Sequence, residues 1–148
     1  DNIHLLIAGD GELAPAMREE IEALGLSEKI SMLGALSQQE LADLHRVSSA
    51  FVLSSAYEGL PLVVLEALAC GTPVVTTRAG ETPRLLGENS GVVCEERSPQ
   101  SLADAMTSVL NQPERYSSAA CVENAAPYSA QNVIHQIYGE MLKRWVPK

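Results

Sequence analysis

The sequence predicts an α/β domain with a parallel sheet and helices on both faces. Short apolar runs alternate five times with longer amphipathic stretches, and the connections are too short for anything but helical crossovers. The chain of 148 residues is the length of one domain and 46% of it is hydrophobic, which is enough for a core. Because only 4% of the residues are aromatic, that core is expected to be aliphatic.

Each predicted strand ends at a turn or loop signal and is followed by a helical pattern. The strands are predicted at residues 3–8, 30–33, 50–53, 74–77 and 91–94. The first is apolar apart from His4 and is expected to be buried on both faces. Helices are predicted at residues 13–24, 37–46, 62–70, 83–86, 99–110, 114–124 and 130–145. Ser37 with Glu40 predicts a capping box, and Ser98 is the expected N-cap before Pro99.

Charge, hydropathy and cysteine spacing exclude several classes of function. A net charge of −9 without a basic stripe disfavours nucleic-acid binding. No run approaches the roughly 20 apolar residues that a membrane span needs. The histidines have no metal-ligand spacing, and the widely spaced cysteines are expected to be buried free thiols of a cytoplasmic protein. The chain begins without Met or a leader, which suggests a fragment.

The most informative segment is residues 62–70, between a polar loop and the helix stop formed by Gly71 and Pro73. Pro61 stands where a helix-starting proline is common. The helix is apolar on every face except at Glu66, which predicts that it is buried. A buried carboxylate needs a partner. That partner is either structural, such as a backbone cap or an arginine, or the hydroxyl groups of a ligand.

The start of the same helix is expected to attract an anion. Its free N–H groups and dipole favour a phosphate. Ligands of parallel sheets bind beyond the carboxyl ends of the strands, so the functional loops are expected after Ala8, Leu33, Leu53 and Thr77. Glu58 supplies a second carboxylate just before this helix. A phosphate site beside a hydroxyl acceptor predicts a nucleotide or a nucleotide sugar as the ligand.

Glu58 and Glu66, with seven residues between them, resemble the E-x7-E motif of the retaining family 4 glycosyltransferases. The continuation ALACGTPVV at residues 67–75 is similar to that family's pattern as well. Further resemblances follow in the right order, at residues 5–12, 32–34, 91–93 and 101–105. The similarity therefore extends from about residue 3 to about residue 110.

This resemblance implies the Rossmann-like C-terminal half of a GT-B glycosyltransferase, whose first strand-helix unit is missing. Residues 1–148 would be the nucleotide-sugar-binding domain of a longer two-domain enzyme, without its N-terminal acceptor-binding domain. Glu66 would bind the ribose hydroxyls, and Glu58, the expected catalytic residue, would lie near the transferred sugar. The remaining contacts would come from the amides of Gly59 and Leu60 to the sugar, of Leu62 and Val63 to the phosphates, from Gly34 and Ala35 beside the base, and from the turn of Gly9 and Gly11.

The implied activity is transfer of a hexosyl or N-acetylhexosaminyl group from a UDP-, GDP- or ADP-sugar to an acceptor hydroxyl with retention, in polysaccharide or lipopolysaccharide synthesis. The resemblance implies no cofactor and no metal, and it is compatible with peripheral membrane contact of the full-length enzyme. Two departures stand out: the family's "G-R…K" pair is missing, and Arg84 replaces a usual glutamate. Two alternatives remain, a nucleotide-sugar epimerase of the same architecture and a non-catalytic binding module.

Overall fold

The computed structural model describes residues 3–145, which form two compact units. One unit ends at Asp43 and the other begins at Leu44. The elements in chain order are β1 (Leu5–Ala8), α1 (Ala14–Ala23), β2 (Ile30–Gly34), α2 (Gln38–Val47), β3 (Phe51–Leu53), α3 (Leu62–Ala69), β4 (Val74–Thr76), α4 (Thr82–Leu85), β5 (Gly91–Val93), α5 (Pro99–Asn111), α6 (Ser118–Ala125), a short 3-10 helix (Ala126–Tyr128) and α7 (Ala130–Arg144).

The first unit contains β1 and β2, which pair in parallel with Leu5 opposite Ile30. Gly25 ends the intervening helix with a φ of +66°, the left-handed conformation of a C-terminal cap. The expectation that β1 is buried on both faces is wrong, because Leu6 is 40% exposed. Within residues 3–43 no residue is buried, and the second edge of β1 pairs with no described strand.

The second unit contains a three-stranded parallel sheet with β4 between β3 and β5. Successive residues of β4 point to opposite faces of this sheet. Val74 packs in a cluster with α3, α4 and α6, whereas Val75 packs in a second cluster with α5. Helices on both faces of a parallel sheet are therefore confirmed. The strands form one sheet of two and one of three rather than a continuous sheet.

Most predicted boundaries are found within two residues. The capping box is present, because the backbone N–H of Ser37 donates to Glu40 at 2.8 Å and the Glu40 N–H donates to the Ser37 hydroxyl at 3.3 Å. The helix predicted from Glu114 is wrong at its start. It begins instead at Ser118, because the Ser117 hydroxyl caps it by accepting from Ala120, and the preceding turn buries Tyr116.

The three cysteines are free thiols. Cys94 and Cys121 are buried as predicted, while Cys70 is half-buried. Burial raises the pKa of Cys121 to about 11, which keeps this thiol protonated and unreactive at neutral pH. None of the helices within residues 3–145 has both the length and the apolar character needed to cross a membrane.

Candidate functional site

The start of α3 leaves backbone donors available. Pro61 is the N-cap rather than the first helical residue, with an extended conformation, and its side chain cannot cap the helix. Among the described residues, the N–H groups of Leu62 and Val63 have no hydrogen-bond partner. The first turn of α3 therefore presents two free donors at the positive end of the helix dipole.

Only one face of α3 is buried, which corrects the expectation of burial all round. Val64, Ala67 and Leu68 are fully buried against the sheet and α6, whereas Leu62 is 62% exposed and Glu66 is also exposed. Glu66 therefore lies on the exposed side of this helix. The apolar composition of the helix suggested complete burial, but composition does not tell whether a second layer is present.

The Glu66 carboxylate forms no hydrogen bond and no ion pair within residues 3–145. A structural partner, one of the two options left by the sequence, is thus not found there. Its charge does act on His45, a residue of α2 that is only 5% exposed. Burial lowers the pKa of His45, and the negative charge of Glu66 opposes part of that shift.

His45 is an aromatic packing residue with an unsatisfied polar atom. Its ring meets Phe51 edge to face, with the centroids 5.1 Å apart and the planes at 89°. Its Nε2 atom is buried without a hydrogen-bond partner in the described part of the chain. Its backbone carbonyl accepts a hydrogen bond from the hydroxyl of Thr72, which fixes this part of α2 to the end of α3.

Glu58 is half-buried in the loop of residues 54–61, the Glu58 loop, which connects β3 to α3. The hydroxyl of Ser55 donates to its carboxylate at 2.6 Å. The hydroxyl of Thr77 donates to the Ser55 carbonyl at 2.5 Å, and Arg97 donates to the Ala56 carbonyl at 3.4 Å. Glu58 is therefore oriented by its own loop, which in turn is held by residues beyond β4 and β5.

The Glu58 loop exposes its next two residues. Gly59 and Leu60 are exposed, and their N–H groups have no partner among the described residues. The Gly59 carbonyl accepts from the N–H of Glu81 at 3.2 Å, so this peptide is anchored on its carbonyl side only. Free amides, one oriented carboxylate and the exposed Glu66 thus occupy one continuous segment of the second unit.

The other four predicted residues belong to the first unit, at the carboxyl ends of β1 and β2. Gly9 and Gly34 have φ values of +128° and +71°, and the Gly9 N–H donates to the Gly34 carbonyl at 2.7 Å. A Cβ added at Gly9, Gly11 or Gly34 would meet nothing within 4 Å. The two turns and the neighbouring exposed Ala35 therefore line open space, with glycine required by backbone conformation at two positions.

The loop of residues 77–81, the Gly80 loop, follows the carboxyl end of β4, where a functional loop was expected, but its contact with the Glu58 loop was not predicted. His45 escaped the sequence interpretation. Its signal is a histidine beside Leu41 and Leu44 on the apolar face of an amphipathic helix. Arg84 is exposed and forms an ion pair with Glu81 at 2.8 Å. Within residues 3–145, no group of three acidic, histidine or cysteine residues is arranged to hold a metal ion.

Comparison with known protein families shows to which family the chain belongs. The family model "Glycosyl transferases group 1" matches residues 1–126. The chain belongs to the group 1 glycosyltransferases. It is 34% identical over 134 residues to a D-inositol 3-phosphate glycosyltransferase of Corynebacterium urealyticum, covering 88% of the chain and 32% of that protein. It is 32% identical to an alpha-D-kanosaminyltransferase of Streptomyces kanamyceticus, covering 93% and 35%. The chain thus spans about a third of these glycosyltransferases.

Solved glycosyltransferases of the GT-B class share the fold of this family member. A sucrose-phosphate synthase of Thermosynechococcus elongatus superimposes with a TM-score of 0.81 at 21% identity, over 95% of the chain and 38% of that protein. HepE of Anabaena, solved in complex with UDP and glucose, gives a TM-score of 0.76 at 23% identity, over 95% of the chain and 40% of that protein. These likenesses establish the GT-B-type α/β fold of the chain.

Proposed function

We propose that this chain is the donor-nucleotide-binding domain of a longer retaining glycosyltransferase that transfers a sugar from a nucleoside-diphosphate sugar to an acceptor hydroxyl. The observation that carries the proposal is the exposed face of α3. Glu66 lies about one helical turn after Leu62 and Val63, and within residues 3–145 neither its carboxylate nor the amides of those two residues have a hydrogen-bond partner. Four residues at 1.5 Å per residue separate the two groups by about 6 Å along the helix axis.

That separation suits a ligand with a diphosphate and a ribose. The amides of Leu62 and Val63, aided by the helix dipole, would hold the diphosphate, and the Glu66 carboxylate would accept hydrogen bonds from the ribose hydroxyls. The complex of the related fold with UDP and glucose supports this class of ligand. Gly34, Ala35, Gly9 and Gly11 stay predicted nucleotide contacts on the ground of the family resemblance alone.

Glu58 would act on the sugar rather than on the nucleotide. Its carboxylate is oriented by the Ser55 hydroxyl, and the adjacent amides of Gly59 and Leu60 are free to donate to the sugar. In retaining transfer, the acceptor attacks on the face from which the diphosphate departs. The largest contribution of this chain would be to stabilise the charge that develops on that leaving group.

The proposal extends to the whole protein, which would contain an acceptor-binding domain besides this chain. Its pathway would be the synthesis of a polysaccharide, a lipopolysaccharide or a similar glycan in the cytoplasm. The isolated chain of residues 1–148 is expected to bind a nucleoside diphosphate but to transfer no sugar, because positioning of both substrates requires the acceptor-binding domain as well.

The test combines binding and turnover. Calorimetric titration of the isolated chain with UDP, GDP and ADP identifies the nucleotide, and the full-length protein is then assayed with the hexose and N-acetylhexosamine conjugates of that nucleotide. Transfer with retained anomeric configuration, read by NMR of the product, supports the proposal. Inversion, epimerisation of the sugar nucleotide, or binding without turnover by the full-length protein would each contradict it, and transfer by the isolated chain would refute the division between two domains.

A further inference from the structure

Residues of the Gly80 loop donate three hydrogen bonds to backbone carbonyls in the Glu58 loop or directly before it. The Thr77 N–H donates to the Leu53 carbonyl at 3.1 Å, where β3 ends and the Glu58 loop begins. The Thr77 hydroxyl then donates to the Ser55 carbonyl, and the Glu81 N–H donates to the Gly59 carbonyl. The Glu58 loop is thus fixed near both of its ends by one short segment after β4.

Gly80 lies between these anchors and in direct contact with the peptide that follows Glu58. A Cβ built on Gly80 would lie 1.9 Å from the Glu58 carbonyl oxygen and 2.9 Å from the Gly59 carbonyl oxygen. Both obstacles are backbone atoms, so no rotation of a side chain relieves the conflict. The φ of +52° disfavours any other residue independently. Glycine is therefore required here for space as well as for conformation.

The residues proposed to bind the nucleotide are held in place differently from Glu58. Leu62, Val63 and Glu66 are carried by α3, whose buried residues Val64 and Leu68 belong to the core cluster of the second unit. Displacement of the Glu58–Gly59 peptide would consequently move the Glu58 carboxylate and the Gly59 and Leu60 amides. It would leave the buried helix in place.

We propose that Gly80 is a positioning residue of the sugar subsite, whose missing side chain determines where the Glu58–Gly59 peptide lies. This inference rests on the proposed function, because it assumes that Glu58, Gly59 and Leu60 address the donor sugar. It goes beyond that function because it assigns the proposed sugar contacts to a loop held by the Gly80 loop, and the proposed nucleotide contacts to a helix held by the core. Displacement of the loop by about 1 Å should then cost about 100-fold in turnover.

The experiment compares Gly80→Ala with Gly71→Ala in the full-length protein. Gly71 is a matched control, since its φ is +85° and an added Cβ would lie 2.0 Å from the Ser118 hydroxyl oxygen, at a contact with α6 rather than with the Glu58 loop. Affinity is measured calorimetrically with UDP, GDP and ADP. Turnover is measured with their hexose and N-acetylhexosamine conjugates. Amide hydrogen exchange of residues 54–61 is followed without ligand.

For Gly80→Ala we expect faster exchange in residues 54–61, a fall in kcat of about 100-fold and nucleoside-diphosphate affinity within about threefold of wild type. Gly71→Ala should leave both the exchange of that segment and kcat near wild type. Thr77→Val, which removes the hydroxyl bond to Ser55 at nearly constant volume, should shift exchange and kcat in the same direction by less, and it decides the matter if Gly80→Ala does not fold.

Three results would overturn the inference. Equal effects of Gly80→Ala and Gly71→Ala on kcat and on the exchange of residues 54–61 would show that Gly80 is merely structural. So would a loss of nucleoside-diphosphate affinity as large as the loss of kcat. If the wild-type protein binds none of the three nucleotides and turns over none of the conjugates, the proposed function fails, and the inference fails with it.

Discussion

Glu66→Gln tests the nucleotide assignment most directly. The carboxylate of Glu66 is exposed and forms no hydrogen bond or ion pair within residues 3–145, so its two oxygens are available to the two ribose hydroxyls. Glutamine keeps one acceptor oxygen and replaces the other with an NH2 donor. The substitution therefore removes one charge-assisted hydrogen bond and leaves the shape of the side chain unchanged.

The expected loss is about 1.5 to 3 kcal/mol of binding free energy, or roughly 10- to 150-fold in affinity for the nucleoside diphosphate. A sugar attached to the diphosphate should not change this factor, since the proposed contact of Glu66 is with the ribose. In the absence of ligand, the free energy of unfolding should change by no more than about 0.5 kcal/mol, as for other exposed positions. The buried charge expected from the sequence would instead have made Glu66→Gln stabilising.

The assay is calorimetric titration with the diphosphate, together with a melting curve. Glu123→Gln is a matched control because Glu123 is an exposed glutamate on α6 of the same unit. It should change neither affinity nor melting temperature. If Glu66→Gln binds the diphosphate normally while its melting temperature drops, Glu66 is a structural residue and the reasoning is wrong.

In the full-length protein, Glu58→Gln should lower kcat strongly while calorimetry shows nearly unchanged diphosphate affinity; an equal loss in both would place Glu58 on the nucleotide. Because burial lowers the pKa of His45 below its ordinary value near 6.5, the unfolded chain takes up this proton first as pH falls. The contribution of neutral His45 to the free energy of unfolding should be fully present above about pH 6.5 and should decrease below it. Urea unfolding at about pH 7.5 and about pH 5 should show that His45→Phe lacks this part of the decrease. The isolated chain should self-associate through the edges of β1 and β3 that pair with no strand within residues 3–145, with a light-scattering mass that rises with concentration. A monomer at all concentrations would contradict this.

The fold was predictable because its signals are local. Caps, turn glycines and apolar runs place elements within a few residues, as at Ser37, Ser98 and Gly25, since each acts through its own hydrogen bonds. The start of α6 was missed because Ser117 competes with Glu114 as a helix start, and only the burial of Tyr116 in the intervening turn decides between them.

Burial was harder to predict than secondary structure because it depends on neighbours that composition does not reveal. An apolar run indicates which residues favour burial, but the exposed fraction of Leu6 or Leu62 depends on whether another layer is present. The contact of Gly80 with the Glu58 peptide is of the same kind. It joins residues that are 22 positions apart, and a glycine after a strand does not indicate which backbone it approaches.

The two glutamates of the motif thus differ in what holds them, and this difference has a consequence for the site. Glu66 is carried by a helix with a fully buried face, so its position changes only if the core changes. Glu58 is carried by a loop whose position depends on a few hydrogen bonds and on the absence of one Cβ. On the proposed function, substitutions around residues 54–61 and 77–81 would therefore alter binding of the donor sugar and leave the proposed nucleotide contacts of α3 in place. The reverse is costly, since moving Glu66 requires repacking Val64, Ala67 and Leu68.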